Sequence, residues 1–489
     1  MADALTPADL ELRPGRGDRS PWLREALAME GDPSPLSSPG GSVRTEVAIV
    51  GGGYVGLWTA LQLRERNPDL AITVLEQDIC GGGPSGRNGG FVNAWWDELD
   101  TLVALYGEQR ALEAAREASQ SVRAIGAWCE ANDVDAHYQR RGMLAVSTTP
   151  LHDDRPLGSV RVAQELGVGE ELVALTAAEV AERCRSPEFR GGALMRDGAT
   201  VQPALLARGL RRVALERNVR IHEGTRVRAR LQRDGAGIRL AADSATGTHE
   251  IRAGRVVVAA NVWAIGWRQL SRAALAWGSY MVRSEPLTDR QLDDIGWTGG
   301  ESIYTARFNV EYFHVTRDRR IAIGSGGGVP GYDGRIGSTF TDDVGSARRA
   351  ARAFRSLFPS LREVRLTDAW GGPIDVAGDH LPRFGTLSRL PVYYAVGFSG
   401  NGVAPSHLAG RVLAALVLES DEPITRLGPV GPPPARLPPE PFRYIGARVM
   451  RGAIVRREEY ELSGRRAPWW LRQLTALPRR LGYHLGPGP

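Results

Sequence analysis

Hydrophobic positions along this chain follow two alternating rhythms, which together predict an α/β protein. The run TEVAIV, ending at Val50, is short and apolar, as in a strand buried on both faces of a parallel sheet. A glycine turn follows, then helical spacing over 54–67 and a second strand over 71–76. Helical periodicity returns over 97–132, whereas 138–148 alternates like a strand and opens a different layer. Residues 202–218 read as a helix, and 219–240 and 249–260 as short strands. The all-apolar RVVVAA at the end of this stretch is expected to rejoin the first sheet. Between 278 and 328 strands surround turns, with Arg317-Asp318 at a hairpin tip, and 342–358 is helical. PVYYAVGF then reads as a strand, SGNG as a turn and 403–418 as a helix.

Residues 1–42 are polar and rich in Pro, Gly and Ser, a lead-in arm with one short helix around 21–29, so that order begins at Val43. At the other end, 421–441 is a proline-rich linker and 442–489 a basic tail. A chain of 489 residues suits two domains. The expected division is a first domain from 43–95, 190–265 and 365–420, enclosing a second, antiparallel one from 96–189 and 266–364. No internal repeat is visible.

Composition narrows the chemistry. All 61 residues counted as Lys+Arg are arginine. Without lysine, a P-loop kinase, a Schiff-base aldolase or a pyridoxal-phosphate enzyme is excluded in its usual form. The net charge is +5, but 441–489 alone carry ten Arg against Glu458, Glu459 and Glu461, a balance of +7 that leaves the rest at −2. The body therefore has no basic face of the kind nucleic acid requires, and nucleic acid is not an expected partner. Cys80, Cys129 and Cys184 are widely spaced, which argues against a disulfide framework or a metal site and fits a reducing cytoplasm. There is no apolar leader and no run of about 18 apolar residues to span a membrane.

The strand ending at Val50 runs into Gly51-Gly52-Gly53-Tyr54-Val55-Gly56, which matches GxGxxG with Gly51, Gly53 and Gly56 in register. Alone that is weak. Here it follows a strand, opens a helix and is answered by Glu76, at the end of the next strand. Gly51 would allow the tight turn, Gly53 the approach to a pyrophosphate and Gly56 close helix packing, with the helix N-terminus favouring negative charge. Glu76 would accept hydrogen bonds from the adenosine ribose and disfavour a 2′-phosphate. A second glycine loop, GGGPSGRNGGF at 81–91, is suited to wrapping another phosphate or a ring edge.

With the motifs VAIVGGGYVGLWTALQL, LEQDICGGGPSGRNGGF, WGGPIDVAGDHLPRFG and YYAVGFSGNGVAPSHLAGRVLAALV, the sequence over about 43–420 resembles the D-amino-acid oxidase superfamily, particularly its gamma-glutamylputrescine oxidase-like branch. The resemblance implies a Rossmann-like FAD-binding domain of the GR2 type with an inserted antiparallel substrate domain. It places Ser85, Arg87, Asn88 and Gly89 against the flavin, Val227 beside the adenine, and Gly400, Asn401 and Gly402 at the flavin pyrimidine edge. Tyr54, Val55, Gln77, Gly86, Gly372, Ile374 and Val403 join the same cofactor set. The implied reaction is hydride transfer to flavin N5 from a carbon bearing nitrogen, in an amine or amino acid, giving an imine that hydrolyses; O2 or another acceptor takes the electrons.

Substrate contacts are expected among Tyr304, Arg307, Tyr312, His314, Trp370 and Asp375, each of which has a structural alternative in sheet or core packing. Glycine oxidase-like members carry a carboxylate-binding Arg near the position of Ile374, and Arg307 could stand in for it. Sarcosine oxidase-like members use a lysine above the flavin, absent here, so oxidase and dehydrogenase both stay open. No cysteine follows Cys184, so the FAD is expected to be non-covalent. Two other readings remain: a flavin-dependent monooxygenase of a tailoring pathway, and a flavin-binding electron-transfer subunit without amine turnover. The tail is expected to fold back on the flavin domain with its arginines solvated, in preference to lying on an anionic membrane.

Overall fold

Five strands run parallel through the centre of the first sheet, in the order Arg220–His222, Ile72–Leu75, Val43–Val50, Gly247–Val258 and Val392–Val396. Their apolar runs are buried on both faces, as Val47 to Val50 and Val256 to Val258 show. Among the described residues short antiparallel strands complete nine: Gly237–Ser244 beside Gly247–Val258, with Arg226–Val227 and Gln232–Asp234 on its other side, and Arg383–Leu387 beside Val392–Val396. Helices Tyr54–Arg66, Pro203–Glu216 and Val403–Val417 pack into one core with this sheet through Leu57, Leu61, Leu206, Leu408 and Val412. The computed structural model describes residues 5–15, 19–31, 35–387, 390–434, 436–480 and 482–483; the outer ends of the arm and tail lie outside them.

The second sheet has eight strands, ordered Leu366–Val376, Leu275–Ser284, Ile321–Ser325, Glu311–Val315, Ser302–Thr305, Met143–Val146, Gly192–Met195 and Leu172–Leu175. All neighbours are antiparallel except Ser302–Thr305 with Met143–Val146. Helix Val344–Leu357 covers it, burying Ala347, Ala350, Phe354 and Leu357. Gly192–Met195 and Leu366–Val376 fall in stretches expected with the first domain, yet they pair here. An apolar strand carries no mark of which sheet it joins, and the partner strands lie far away in sequence.

The arm is not a loose lead-in. Helix Pro21–Met29 buries Trp22 and Leu23 in a cluster with Ile79, Ala204, Met281 and Trp370. Earlier still, the Asp9 carboxylate accepts from Arg355 Nε and Nη2, both at 2.9 Å, in a buried bidentate pair.

The tail forms two helices, Phe442–Leu462 and Trp469–Arg480, and departs from expectation in where it lands. It docks on the loops of the second sheet. Glu458 accepts from Asn309, His152 Nε2 lies 2.8 Å from Glu461 Oε2, and Arg451 Nε donates to Gly327 O and Gly328 O at 2.9 and 2.6 Å. Two glutamates and one arginine thus anchor a segment that reads as basic. Among the described residues no helix is long and apolar enough to cross a membrane.

Candidate active site

The two sheets enclose a cavity of about 1410 Å³, larger than the few hundred to about 1,000 Å³ of a small-ligand pocket. At one end the parallel strands stop. Gly51 turns the chain there with φ +112°, and a Cβ on it would lie 2.4 Å from Ala259 O. Gly56 lets the following helix approach, since its Cβ would sit 1.9 Å from Gly51 O. Glu76 accepts from Gly52 N at 2.7 Å and from Asp78 N at 2.9 Å while facing the cavity, and burial pushes its carboxyl up to about 7. Gln77 and Val227 line the same end.

The second glycine loop is held by its own side chains and by two tryptophans. Asn88 Oδ1 accepts from Gly90 N at 2.7 Å, and its amide donates to Pro84 O and Ser85 O, both at 3.1 Å. Ser85 Oγ accepts from Tyr54 N at 2.9 Å, joining this loop to the first. Trp370 Nε1 donates to Arg87 O at 2.8 Å and Trp22 Nε1 to Asn88 O at 3.1 Å; the two rings meet edge-on at 5.5 Å. Arg87 donates to Gly82 O at 3.1 Å and Gly371 O at 3.3 Å, and its side chain packs against Gly372.

Asp375 builds the third loop. Its carboxylate accepts from Gly397 N at 2.6 Å, Phe398 N at 3.1 Å and Asn261 Nδ2 at 3.1 Å, and burial raises it to about 7. Ser399 N donates back to Asp375 O at 2.8 Å. This fixes Gly400, Asn401 and Gly402 at the N-terminus of helix Val403–Val417, which carries no side-chain cap and leaves its first amides for a ligand. Asn401 Oδ1 and Asn261 Oδ1 are buried on the cavity without a hydrogen-bond partner, as a polar cofactor would require.

Of the expected cofactor positions, Gly51, Gly53, Tyr54, Val55, Glu76, Gln77, Ser85, Arg87, Asn88, Gly89, Val227, Gly372, Ile374, Gly400, Asn401, Gly402 and Val403 line this cavity, while Gly56 and Gly86 lie behind it. The expected substrate residues divide. Tyr304, Tyr312 and Asp375 face the cavity. Arg307 does not: it is buried among Glu188, Glu311 and Thr148, its charge already paired, and cannot replace the missing carboxylate-binding arginine. His314 sits behind the wall, edge-on to Phe91 at 5.9 Å, where it does not reach the cavity, and burial lowers it to about 4, which leaves it neutral and weakly basic. Trp370 packs on Trp22 and supports the loop rather than touching the cavity.

Other cavity residues carried no sequence signal: Asn93, Trp95, Asp97, Glu98, Phe308, His380 and, from the tail, Met450, Arg451 and Ile454. None of Cys80, Cys129 and Cys184 lines it, so a cysteinyl link to a cofactor has no partner.

Two glycine loops, an acidic strand end and an uncapped helix N-terminus around one large cavity define a dinucleotide-cofactor protein of the doubly wound class. Residues 46–416 match the DAO family of FAD dependent oxidoreductases, and the chain belongs to that family; its cofactor is FAD. Over 425 residues it is 27% identical to gamma-glutamylputrescine oxidoreductase of Escherichia coli (strain K12), which covers 86% of this chain and 92% of that protein. The fold is similar to that of glycine oxidase from Geobacillus kaustophilus (TM-score 0.61, 20% identity, 78% of this chain and 96% of that one). It is similar as well to L-amino acid deaminase from Proteus myxofaciens (TM-score 0.64, 16% identity, 81% and 95%).

Proposed function

We propose that this enzyme oxidises the C–N bond of a small amine or amino acid. The observation that carries this reading is the continuity of the cavity from the nucleotide end, at Gly51 and Glu76, past the loops at 85–89 and 400–402, to an aromatic wall of Phe91, Tyr304, Phe308 and Tyr312. The loops at 51–56, 85–89 and 400–402 would hold FAD, which when bound would supply a hydride acceptor for the carbon bearing nitrogen, leaving an imine for water to hydrolyse to a carbonyl compound and an amine or ammonia.

The residues of the chain supply position and dryness. Phe91 meets Tyr312 edge-on at 5.8 Å, and Tyr312 OH is held on Ser279 Oγ at 2.7 Å, so the aromatic rings are positioned to shield the reacting carbon from water. The uncapped N-terminus of helix Val403–Val417, behind Gly400, Asn401 and Gly402, would favour negative charge on a flavin edge placed against it. No histidine base is needed, because the amine enters neutral and loses a hydride rather than a proton at carbon. The relatives support this reading, since their names span an amine derivative, glycine and L-amino acids.

The test is an anaerobic absorbance titration of the purified holoenzyme with polyamines, N-methyl amino acids and D-amino acids, then admission of air. Bleaching of the flavin by one amine class is expected. Fast recolouring marks O2 as the acceptor and slow recolouring another acceptor. A flavin that bleaches with NADPH and with no amine would replace this reading by the monooxygenase one.

A further inference from the structure

Just beyond the glycine loop the chain passes Trp95 and Trp96 and sets Asp97 and Glu98 on the cavity wall, with Asp100 in the helix Leu99–Tyr106. Among the described residues neither forms an ion pair; Arg155, which shares a small neighbouring pocket with Asp97 and Asp100, pairs with Glu461 instead. Asp97 feels burial, the charge of Asp100 and hydrogen-bond donors, and Glu98 feels burial, the charges of Asp97 and Asp100 and the Thr101 hydroxyl, with no arginine or histidine among them. Burial first, and then the charge of Asp100, pushes Asp97 up to about 6, and burial with the charges of Asp97 and Asp100 pushes Glu98 well above the usual carboxylate range. Carboxylates crowded out of water without a counter-charge are costly, and a cationic ligand removes that cost.

The unpaired atoms here are all acceptors. Asp97 Oδ2 takes one hydrogen bond, from Tyr304 OH at 3.2 Å, and its Oδ1 is buried with no partner. Asn93 is only 8% exposed, lines the same cavity, and its Oδ1 is also without a partner. It shares a strand face with Phe91, whose ring meets Tyr312, so the Asn93 amide turns toward the tyrosine wall. Tyr312 and Tyr304 are cross-strand neighbours, and a Cβ at Gly89 would lie 3.0 Å from the Tyr312 ring. The wall therefore leads from the flavin loop at Gly89, across Tyr312 and Tyr304, to Asp97. A ligand carboxylate would be repelled at that end, and an alkyl group would leave the acceptors unsatisfied.

We propose that Asn93, Asp97 and Glu98 form a cation subsite, and that the substrate is a diamine or polyamine whose distal ammonium binds there while the reacting C–N bond lies at the Gly89 and Tyr312 end. This rests on the amine-oxidation reading and specifies its substrate class.

Holoenzyme is titrated anaerobically with n-butylamine, N-acetyl-1,4-diaminobutane, 1,4-diaminobutane and spermidine, and kcat/KM is measured for each. One of the two free di- or polyamines is expected to exceed both singly charged amines by at least about tenfold, mainly through KM. Asp97→Asn and Glu98→Gln are each expected to reduce that ratio about tenfold, and to weaken binding of 1,4-diaminobutane to dithionite-reduced holoenzyme by a similar factor. The wild-type series alone decides if a variant loses its flavin. Equal efficiency with n-butylamine and the diamines, or with an amino acid, overturns the cation subsite and leaves amine oxidation standing. No bleaching by any amine or amino acid overturns the reading beneath it.

Discussion

Glu458, in the first helix of the tail, holds Asn309 by two hydrogen bonds, one from the main-chain N–H at 3.0 Å and one from the side-chain amide at 2.6 Å. Asn309 lies on the cavity wall, between the strands Ser302–Thr305 and Glu311–Val315, so a segment beyond the family match completes the site.

Glu458→Ala removes both acceptors and leaves two donors of Asn309 unanswered, at a cost of about 1–3 kcal/mol. The variant is expected to melt a few degrees lower and to show a raised KM with FAD still bound. Burial raises Glu458 to about 7, so the neutral amide in Glu458→Gln is expected to preserve much more of both. Thermal melts and steady-state kinetics on the three proteins check this.

Trp22→Ala is expected to cost about 3–5 kcal/mol and to loosen the loop whose Asn88 carbonyl it holds. Urea unfolding and the rate of FAD release measure the two effects. Unchanged FAD release would show that the arm stabilises the fold without acting on the cofactor loop.

Arg307→Ala is expected to destabilise by about 3–5 kcal/mol, since it strands Glu188 and the buried Glu311, while leaving the order of preference among amines as it was. A selective loss of amino-acid over amine turnover would restore Arg307 to the substrate site.

Acid should weaken the fold through two neutral histidines. Burial lowers His314 to about 4 and His407, edge-on to Trp58 at 4.8 Å, to about 3, against 6.5 for the free side chain. Between those values the unfolded chain binds protons that the folded one does not, so stability falls as pH drops from 6.5 toward 4. The slope of Tm against pH in this window is expected to flatten in His314→Gln and in His407→Gln.

The cofactor end of this molecule was legible because it depends on near neighbours. Gly51 is demanded by its φ of +112° at the turn, a need that the crowding of Ala259 O only adds to, Gly56 by its approach to Gly51, Glu76 by the length of the next strand, and Gly402 by the start of a helix. Apolar periodicity likewise revealed most of the helices and strands. It could not tell which sheet Gly192–Met195 or Leu366–Val376 would join.

The substrate end was decided only by the tertiary structure. Arg307 looked available until Glu188, 119 residues earlier in the chain, took its charge. Trp22 looked like part of a loose arm until it met Trp370, and Glu458 like part of a solvated tail until it met Asn309. Asp97 and Glu98 looked like the polar start of a helix, and folding left them without a counter-charge. The backbone turns of the glycine loops are set largely by adjacent residues. Whether a polar side chain is paired, buried or facing a cavity depends on partners that only the folded chain brings together.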